Sequence, residues 1–274
     1  MDHRGGPLNA TPRFPPTDED AGPTKLDCLG VGVVQTGWAE LSAWVYRAAV
    51  HRERPGARTL YFANAHALNS AWTDVEVRAA FNRADVVVND GIGIELYGRI
   101  ARSPFGENLN GSDLVPRLFA SVPEGRRLRV YLFGAEPGRA LAAKAHIEAR
   151  YPRVEVVGVR DGFDHADVVS DINASRADLL LVGMGNPLQE KWIDAHRGAL
   201  EVGLAMGVGA LLDFLSGEVR RAPRLVQRMR VEWLFRLARE PRRMFGRYVL
   251  GNPAFLLRSI VYLFAATASR RPSP

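Results

Sequence analysis

Between residues 26 and 215, short apolar runs alternate with longer amphipathic stretches, and this alternation restricts the possible folds more than any other feature of the chain. The runs are continuously apolar, which is typical of parallel strands covered on both faces. The pattern predicts an α/β fold with a doubly wound, mostly parallel, Rossmann-like sheet. The predicted strands are 26–29, 60–63, 85–89, 128–133, 154–159, 178–182 and 202–206. The clearest predicted helices are 39–50, 75–83, 137–151 and 187–197.

One predicted strand ends on a carboxylate. The valines at 86–88 lead through Asn89 to Asp90, and a helical pattern begins near Ile92. Ligands of parallel sheets bind beyond the carboxyl ends of the strands, so Asp90 would face a substrate there. Asp90 could equally cap the following helix, and the sequence leaves both roles open. Gly91 and Gly93, which would let a ligand approach the backbone, favour the functional role slightly.

Three later strand ends are followed by turns that contain glycine. Free N–H groups in such turns, especially where a helix begins, can bind a phosphate. None of the turns matches GxGxxG or a P-loop, and each alone could be an ordinary connection. Because all three are predicted at the same sheet edge as Asp90, we interpret them together as a nucleotide-binding site. Its predicted residues are Gly134, Pro137, Gly138, Asp161, Gly162, Phe163, Gly183 and Gly185.

After Gly217 the strand pattern ends and positive charge accumulates. Eleven arginines and three glutamates lie between positions 218 and 258, whereas the whole chain has a formal charge of +6. Helices are predicted to begin at Pro223, Pro241 and Pro253, the first running to about residue 239. Arg236, Arg239, Arg243 and Arg247 recur at helical spacing, although Pro241 interrupts them. Guanidinium groups in this arrangement suit a diphosphate, an anionic lipid head group or nucleic acid, and a solvated surface is the alternative.

The last predicted helix, residues 253–268, is strongly apolar. Its sixteen residues would span about 24 Å, less than the roughly 30 Å of a bilayer's hydrocarbon core. We therefore expect a peripheral membrane anchor next to a basic segment, or a helix that packs back on the domain. The predicted organisation is a disordered leader (1–24), an α/β domain (25–217) and a helical appendage (218–274).

Other classes of site are poorly supported by the sequence. The single cysteine, Cys28, rules out an internal disulfide. The first 24 residues lack the apolar segment of a signal peptide. HExxH, CxxC and GxSxG motifs are absent, so we predict no metal site and no cofactor. His66 is the only histidine near a predicted strand end, and a structural loop histidine is its simpler interpretation.

Blocks of sequence in a fixed order carry a stronger signal than any single motif. They are Ala84-Asp85, Asp90-Gly-Ile-Gly93, Gly111-Ser-Asp-Leu114, Phe133-Gly-Ala-Glu-Pro-Gly138, Arg160-Asp-Gly-Phe163, Gly183-Met-Gly-Asn-Pro-Leu-Gln-Glu-Lys-Trp192, Gly207-Val-Gly-Ala210, Arg221-Ala-Pro223, Glu232-Trp233, Arg236 and Glu240-Pro-Arg-Arg243. In this order, from residue 26 to about 250, the chain resembles the WecG/TagA/CpsF glycosyltransferase family.

The resemblance implies an inverting hexosyltransferase that uses a UDP-sugar without a required metal. The implied acceptor is a polyprenyl-diphosphate-linked saccharide, used for teichoic acid, exopolysaccharide or other cell-surface polymers at the cytoplasmic face of the membrane. It also implies that Asp90 is the catalytic base and that the appendage folds over the active site and touches the membrane. The predicted substrate-binding residues are Asn64, Asn108, Asp113, Gln189, Arg236, Arg243 and Arg247.

Two positions depart from the family pattern. Phe62 stands where relatives usually carry threonine, and Asn108 stands where they commonly carry arginine. The donor sugar is therefore left open among N-acetylmannosamine, its uronate and another hexose. Two other functions stay open beside the transferase: an arginine-rich nucleic-acid-binding protein, and a non-catalytic sensor of sugar nucleotides. A homo-oligomer is possible, and nucleic acid is not expected as a partner of the transferase.

Overall fold

An eight-stranded sheet forms the centre of the computed structural model, which describes residues 24–52, 54–163, 166–219, 221–229 and 231–269. The predicted leader, apart from Thr24, lies outside the described residues. The strand order is β1-β2-β4-β3-β8-β7-β5-β6, and only the β1–β2 pair is antiparallel. The predicted doubly wound, mostly parallel sheet is thus confirmed. Its strands are β1 Lys25–Cys28, β2 Val31–Val34, β3 Arg58–Ala63, β4 Val86–Asn89, β5 Leu128–Gly134, β6 Val154–Arg160, β7 Leu179–Gly183 and β8 Leu204–Gly207.

Helices cover both faces of the sheet. Side chains of α1, α5, α6 and α9 belong to one apolar core, and side chains of α2, α3, α4, α7, α8 and α13 belong to the other. The bounds are α1 Trp38–Val50, α2 Ala65–Thr73, α3 Val75–Arg83, α4 Ile92–Ile100, α5 Gly111–Ala120, α6 Arg139–Arg150, α7 Val168–Ala174, α8 Leu188–His196, α9 Leu211–Leu215, α10 Arg224–Arg228, α11 Glu232–Arg239, α12 Pro241–Phe245 and α13 Gly251–Ser269.

Strand β2 was missed by the sequence analysis. It pairs with β1 through the two-residue turn Leu29-Gly30, in which both residues have positive φ angles of 57° and 84°. Two-residue turns with positive φ angles usually contain Asn-Gly or Asp-Gly, because most other residues, leucine among them, rarely adopt a left-handed conformation. The usual hairpin signal is therefore missing from this stretch.

Two predictions about the C-terminal helices are wrong. The helix expected from Pro223 to residue 239 is divided into α10 and α11. The break expected at Pro253 is absent, because α12 continues through a π-helix, Gly246–Leu250, into α13. Proline inside a helix removes one N–H and crowds the carbonyl four residues earlier. The wider π turn directly before α13 accommodates that irregularity without ending the helix.

The continuous segment therefore exceeds its predicted length. Residues 241–265 form 25 helical residues, apolar and long enough to cross a membrane by length and composition. They span about 37 Å at 1.5 Å per residue, so the length argument against a crossing fails. Length and composition are weak evidence by themselves, since a helix packed on a protein core can satisfy them too.

One face of α13 packs against the α/β core. Phe255 is buried beside Tyr97, and Arg258 donates a hydrogen bond to Oδ1 of Asn69 at 2.7 Å. The hydroxyl of Tyr262 donates to Oδ2 of Asp27, in β1, at 2.7 Å. The opposite face is open, since Leu257 is 64% exposed and Val261 is 57% exposed. The expectation that the last helix packs on the domain is thus met on one face, while an apolar face remains outside.

Candidate active site

A cavity of about 1730 Å³ opens at the carboxyl ends of β3, β4, β7 and β8. Its floor is made by strand-end turns of the α/β part, and its other side by α11, α12, the π-helix and the start of α13. Pockets for one drug-sized ligand are usually about 300–1000 Å³. The cavity therefore has room for more than one substrate.

Asp90 is half-buried and lines this cavity. Its backbone N–H donates to the carbonyl of Ala63 at 2.7 Å, which joins the ends of β4 and β3. The side-chain amide of Asn64 donates to Oδ2 of Asp90 at 3.4 Å, while Oδ1 of Asn64 caps α2 by accepting from the N–H of Ala67. The N-cap position of α4 is Gly91, not Asp90. The sequence left two roles open for Asp90, a helix cap and a contact with a ligand. The structure does not use Asp90 as the cap, and the residue lines the cavity.

The surroundings of Asp90 alter its acidity. Burial raises the pKa of the Asp90 carboxyl above its usual range, and Glu232 acts in the same direction. The hydrogen bond from Asn64 and the charges of Arg236 and Arg247 act against this rise. A carboxylate with a raised pKa is a stronger base than an ordinary aspartate.

Asn108 supports the turn that carries Asp90. Its Oδ1 accepts a hydrogen bond of 2.6 Å from the N–H of Gly91. Phe62, the other departure from the family pattern, also lines the cavity, and its ring packs against Gly111, where an added Cβ would lie 3.0 Å from a ring carbon. The two departures therefore contribute to the cavity wall an aromatic ring and an amide whose oxygen is already hydrogen-bonded.

Gln189 lines the cavity within a buried network. Its Nε2 donates to Glu190 at 2.8 Å and its Oε1 accepts from the N–H of Gly209 at 2.9 Å. Asn186 donates to the other carboxylate oxygen of Glu190 at 2.9 Å. Burial raises the pKa of Glu190 to about 7, although these hydrogen bonds and the charge of Arg247 oppose the rise. Glu190 was not predicted as a site residue, because nothing in the sequence distinguishes it from the polar residues of an exposed helix.

The predicted arginines meet on the helical side of the cavity. Arg236, Arg239, Arg243 and Arg247 all line it, although α11 ends before Pro241 and α12 begins there. The guanidinium of Arg236 lies over the ring of Phe214 at 4.9 Å and that of Arg247 over Tyr248 at 5.5 Å.

His66 lies among these groups rather than apart from them. It also lines the cavity, where burial and the charge of Arg247 lower its pKa. The sequence analysis had preferred a structural loop histidine at this position.

The predicted nucleotide-binding residues divide into two groups. Gly162, Phe163, Gly183 and Gly185 line the cavity, whereas Gly134, Pro137, Gly138 and Asp161 lie in the same turns without lining it. Gly134 has a φ of 122° and packs closely on Gly183. A Cβ at Gly134 would lie 2.5 Å from the Gly183 carbonyl carbon, so no larger residue fits there. Oδ1 of Asp161 accepts from the N–H of Phe163 at 2.9 Å and so shapes its turn.

Two arginines that were not predicted as site residues join separate parts of the site. Arg139, the first residue of α6, contacts Glu136, Asp213 and Glu218 at 2.8 to 2.9 Å. Arg221 contacts Asp113 at 2.6 Å and Glu232 at 3.3 Å. Burial works to raise the pKa of Asp113, but hydrogen bonds from Arg221 and Asn110 outweigh it and hold that pKa below the usual range. Among the described residues, no three His, Cys, Asp or Glu side chains come together as a metal site.

Comparisons with known proteins give one consistent result. The family model described as "Glycosyl transferase WecG/TagA/CpsF family" matches residues 26–269. A Bacillus spizizenii protein named N-acetylglucosaminyldiphosphoundecaprenol N-acetyl-beta-D-mannosaminyltransferase is 30% identical over 180 residues, which is 65% of this chain and 69% of that protein. A Staphylococcus aureus protein of the same name is 27% identical over 223 residues, 80% of this chain and 86% of that protein.

Proposed function

The chain belongs to the glycosyl transferase WecG/TagA/CpsF family, and from this premise we propose that it moves a hexose-type sugar from a UDP-sugar to a polyprenyl-diphosphate-linked saccharide. Relatives named for a mannosaminyl transfer to N-acetylglucosaminyldiphosphoundecaprenol support this acceptor class. The product would serve the synthesis of a cell-surface polysaccharide such as a teichoic acid or exopolysaccharide.

The single observation that carries the mechanism is the position of Asp90 in the cavity, held by Asn64 and facing cationic groups. An acceptor hydroxyl attacks the anomeric carbon from the face opposite the leaving group and so inverts it. Asp90 takes the hydroxyl proton as the new carbon–oxygen bond forms. The bond from the anomeric carbon to the UDP oxygen breaks, and its electron pair leaves with UDP.

The arginines of the helical side would stabilise that leaving group. Negative charge develops on the departing diphosphate, and guanidinium groups bind phosphate oxygens in pairs. Arg236, Arg243 and Arg247 line the same cavity as Asp90. We assign the uridine to the side formed by the turns at Gly162, Phe163, Gly183 and Gly185. The side chains of Gln189 and Asp113 already form hydrogen bonds within the protein. We propose that they contact the substrate only through the donor and acceptor positions that these bonds leave unused.

Phe62 and Asn108 bear on the donor sugar. An aromatic ring and an amide already bound to Gly91 form the wall next to Asp90. Neither supplies a hydroxyl or a positive charge there, and the choice of donor among N-acetylmannosamine, its uronate and another hexose is left to the assay below.

We place the protein on the cytoplasmic face of the membrane, bound peripherally by a C-terminal unit of residues 218–274. The exposed apolar face of α13 and the arginines before it support this placement. The arginines line a cavity that contains a carboxylate, which favours a compact anionic ligand over a nucleic-acid duplex. Turnover of any UDP-sugar would exclude the sensor function.

The test is a panel of UDP-sugars assayed for UDP release with a lipid-diphosphate saccharide acceptor, on wild type, Asp90→Asn and Asp194→Asn. Asp90→Asn keeps the side-chain shape but removes the base, so kcat should fall by about 10² to 10⁴. Asp194, which pairs with Arg83 outside the cavity, provides the matched control and should leave kcat unchanged. Transfer by Asp90→Asn at nearly the wild-type rate would refute the assignment of the base.

A further inference from the structure

Two apolar stripes begin inside the cavity and continue out of it. The first lies on α4, where Ile92, Leu96 and Ile100 recur every four residues and are 47%, 39% and 44% exposed. Ile92 and Leu96 line the cavity, and Ile100 continues the stripe beyond it. The opposite face of α4 is buried in the core through Ile94 and Tyr97, so packing of the fold does not account for the stripe.

The second stripe lies on the C-terminal helical segment. Val249, Pro253 and Leu256 line the cavity, and Ile260, four residues after Leu256, continues the row in an exposed position. These residues follow Arg243 and Arg247 directly along the same helical segment. Cationic and apolar contacts are therefore adjacent on one element.

The two stripes belong to helices in direct contact. A Cβ added at Gly93 of α4 would lie 3.6 Å from the ring of Phe255 of α13 and 3.3 Å from Cβ of Ala65. A Cβ at Gly93 would lie at ordinary van der Waals distance from the Phe255 ring, so α4 and α13 pack against each other at this position. We define the exit groove as the surface of Ile92, Leu96, Ile100, Val249, Pro253, Leu256 and Ile260.

We propose that the exit groove binds the hydrocarbon chain of the lipid-linked acceptor and leads it from the reaction cavity to the protein surface. This inference rests on the proposed function and adds the path of the lipid. A carboxylate (Asp90), guanidinium groups (Arg243 and Arg247) and the apolar side chains of the groove line the same cavity. An acceptor with a sugar hydroxyl, a diphosphate and a prenyl chain has the complementary groups. A bilayer alone explains the outer face of α13 at Leu257 and Val261, but not apolar side chains that line the cavity two residues from Asp90.

The direct experiment is photo-crosslinking of the full-length protein with a prenyl diphosphate that carries a diazirine in its chain. We expect labels on groove residues of both helices, among them Leu96 and Leu256, located residue by residue by mass spectrometry and suppressed by an excess of unlabelled prenyl diphosphate. Labelling confined to Leu257 and Val261, or located elsewhere on the protein, would overturn the proposal and indicate contact with a micelle or another surface. This readout does not depend on catalysis.

A kinetic experiment compares Leu96→Gln with a control, Leu141→Gln. The control makes the same substitution at an exposed position of α6 that does not line the cavity. Each variant is assayed with N-acetylglucosaminyl diphosphate carrying an undecaprenyl or a short alkyl chain. Leu96→Gln should raise KM by about tenfold for the long-chain acceptor only, and Leu141→Gln should change neither KM.

Three results would overturn the groove. In the first, Leu96→Gln changes KM equally for both acceptors. In the second, Leu96→Gln loses vesicle binding but keeps the wild-type KM. In the third, it changes the oligomeric state but keeps the wild-type KM. A wild-type protein that transfers to neither acceptor contradicts the proposed function instead, and the crosslinking result then decides the groove separately.

Discussion

Nη1 of Arg221 lies 2.6 Å from Oδ1 of Asp113, although the two residues are 108 positions apart in the chain. Nη2 of the same guanidinium lies 3.3 Å from Glu232, the first residue of α11. One side chain thus joins α5, in the α/β part, to the helix that carries Arg236. We expect this link to help hold α11, and with it Arg236, at the cavity.

Arg221→Gln should therefore impair activity without abolishing folding. The change leaves Asp113 partly buried without its cation, so the free energy of unfolding should fall by about 1–3 kcal/mol. We expect kcat/KM to fall at least about tenfold, because α11 is no longer held at the cavity. Urea denaturation and UDP release measure the two effects. Arg153→Gln, which breaks an exposed ion pair with Glu124, should change both by little, and a wild-type kcat/KM in Arg221→Gln would contradict the link.

Asp90 and its charged neighbours predict opposite shifts of the pH profile. Under the proposed mechanism Asp90 must be ionised to act as the base, so activity should fall as the pH drops through its pKa. Arg236 lowers that pKa and Glu232 raises it. Arg236→Gln should thus move the acidic limb of kcat/KM to higher pH, and Glu232→Gln should move it to lower pH. Glu218→Gln is the control: it removes the same negative charge from a residue that pairs with Arg139, and it should leave the acidic limb in place. Parallel shifts in both test variants would rule out Asp90 as the titrating group.

Glu190 predicts a dependence of stability on pH. Its pKa in the folded protein is about 7, above the ordinary 4.5, so the folded state binds the extra proton between these values. Stability should therefore decline as the pH rises from about 5 to 8, by on the order of 2 kcal/mol from this residue. Glu190→Gln should flatten that decline in urea denaturation. Glu155→Gln, at an exposed position of β6, should retain it, and an equally steep decline in Glu190→Gln would contradict the assignment.

The outer face of α13 can be tested without removing the helix. Leu257→Gln with Val261→Gln should reduce flotation with anionic vesicles severalfold while the melting temperature stays near wild type, because both side chains are exposed. Leu141→Gln provides the control. Ending the chain at Gly217 should also abolish flotation and most activity, but with lower stability, since Phe255 would leave the core. Undiminished flotation of the double variant would exclude this face as the anchor.

Much of the α/β architecture could be predicted from local sequence. The apolar runs located seven of the eight strands within two residues, and the edge rule for parallel sheets placed Asp90 at the cavity. These inferences depend only on neighbours in sequence and on a general property of parallel sheets. The alternation at 31–34 was overlooked because Leu29-Gly30 does not look like a hairpin turn.

The rest of the site depends on contacts between distant segments. The contacts of Arg221 with Asp113 and of Arg139 with Asp213 join positions that no periodicity relates. The raised pKa of Glu190 comes from burial of its side chain in the first turn of α8, and the sequence alone does not show that burial. The continuity of residues 241–265 depends on a π turn, for which the prolines gave the opposite indication.

The hydrogen bond from Tyr262 to Asp27 ties the last helix to the first strand. During translation the ribosome makes Asp27 235 residues before Tyr262, so this bond between α13 and β1 can form only after residue 262 has been made. A polypeptide that ends before α11 would lack the helical side of the cavity and leave the strand-end turns open to solvent. Under the proposed function, such a fragment would not consume the UDP-sugar, because it lacks Arg236, Arg243 and Arg247.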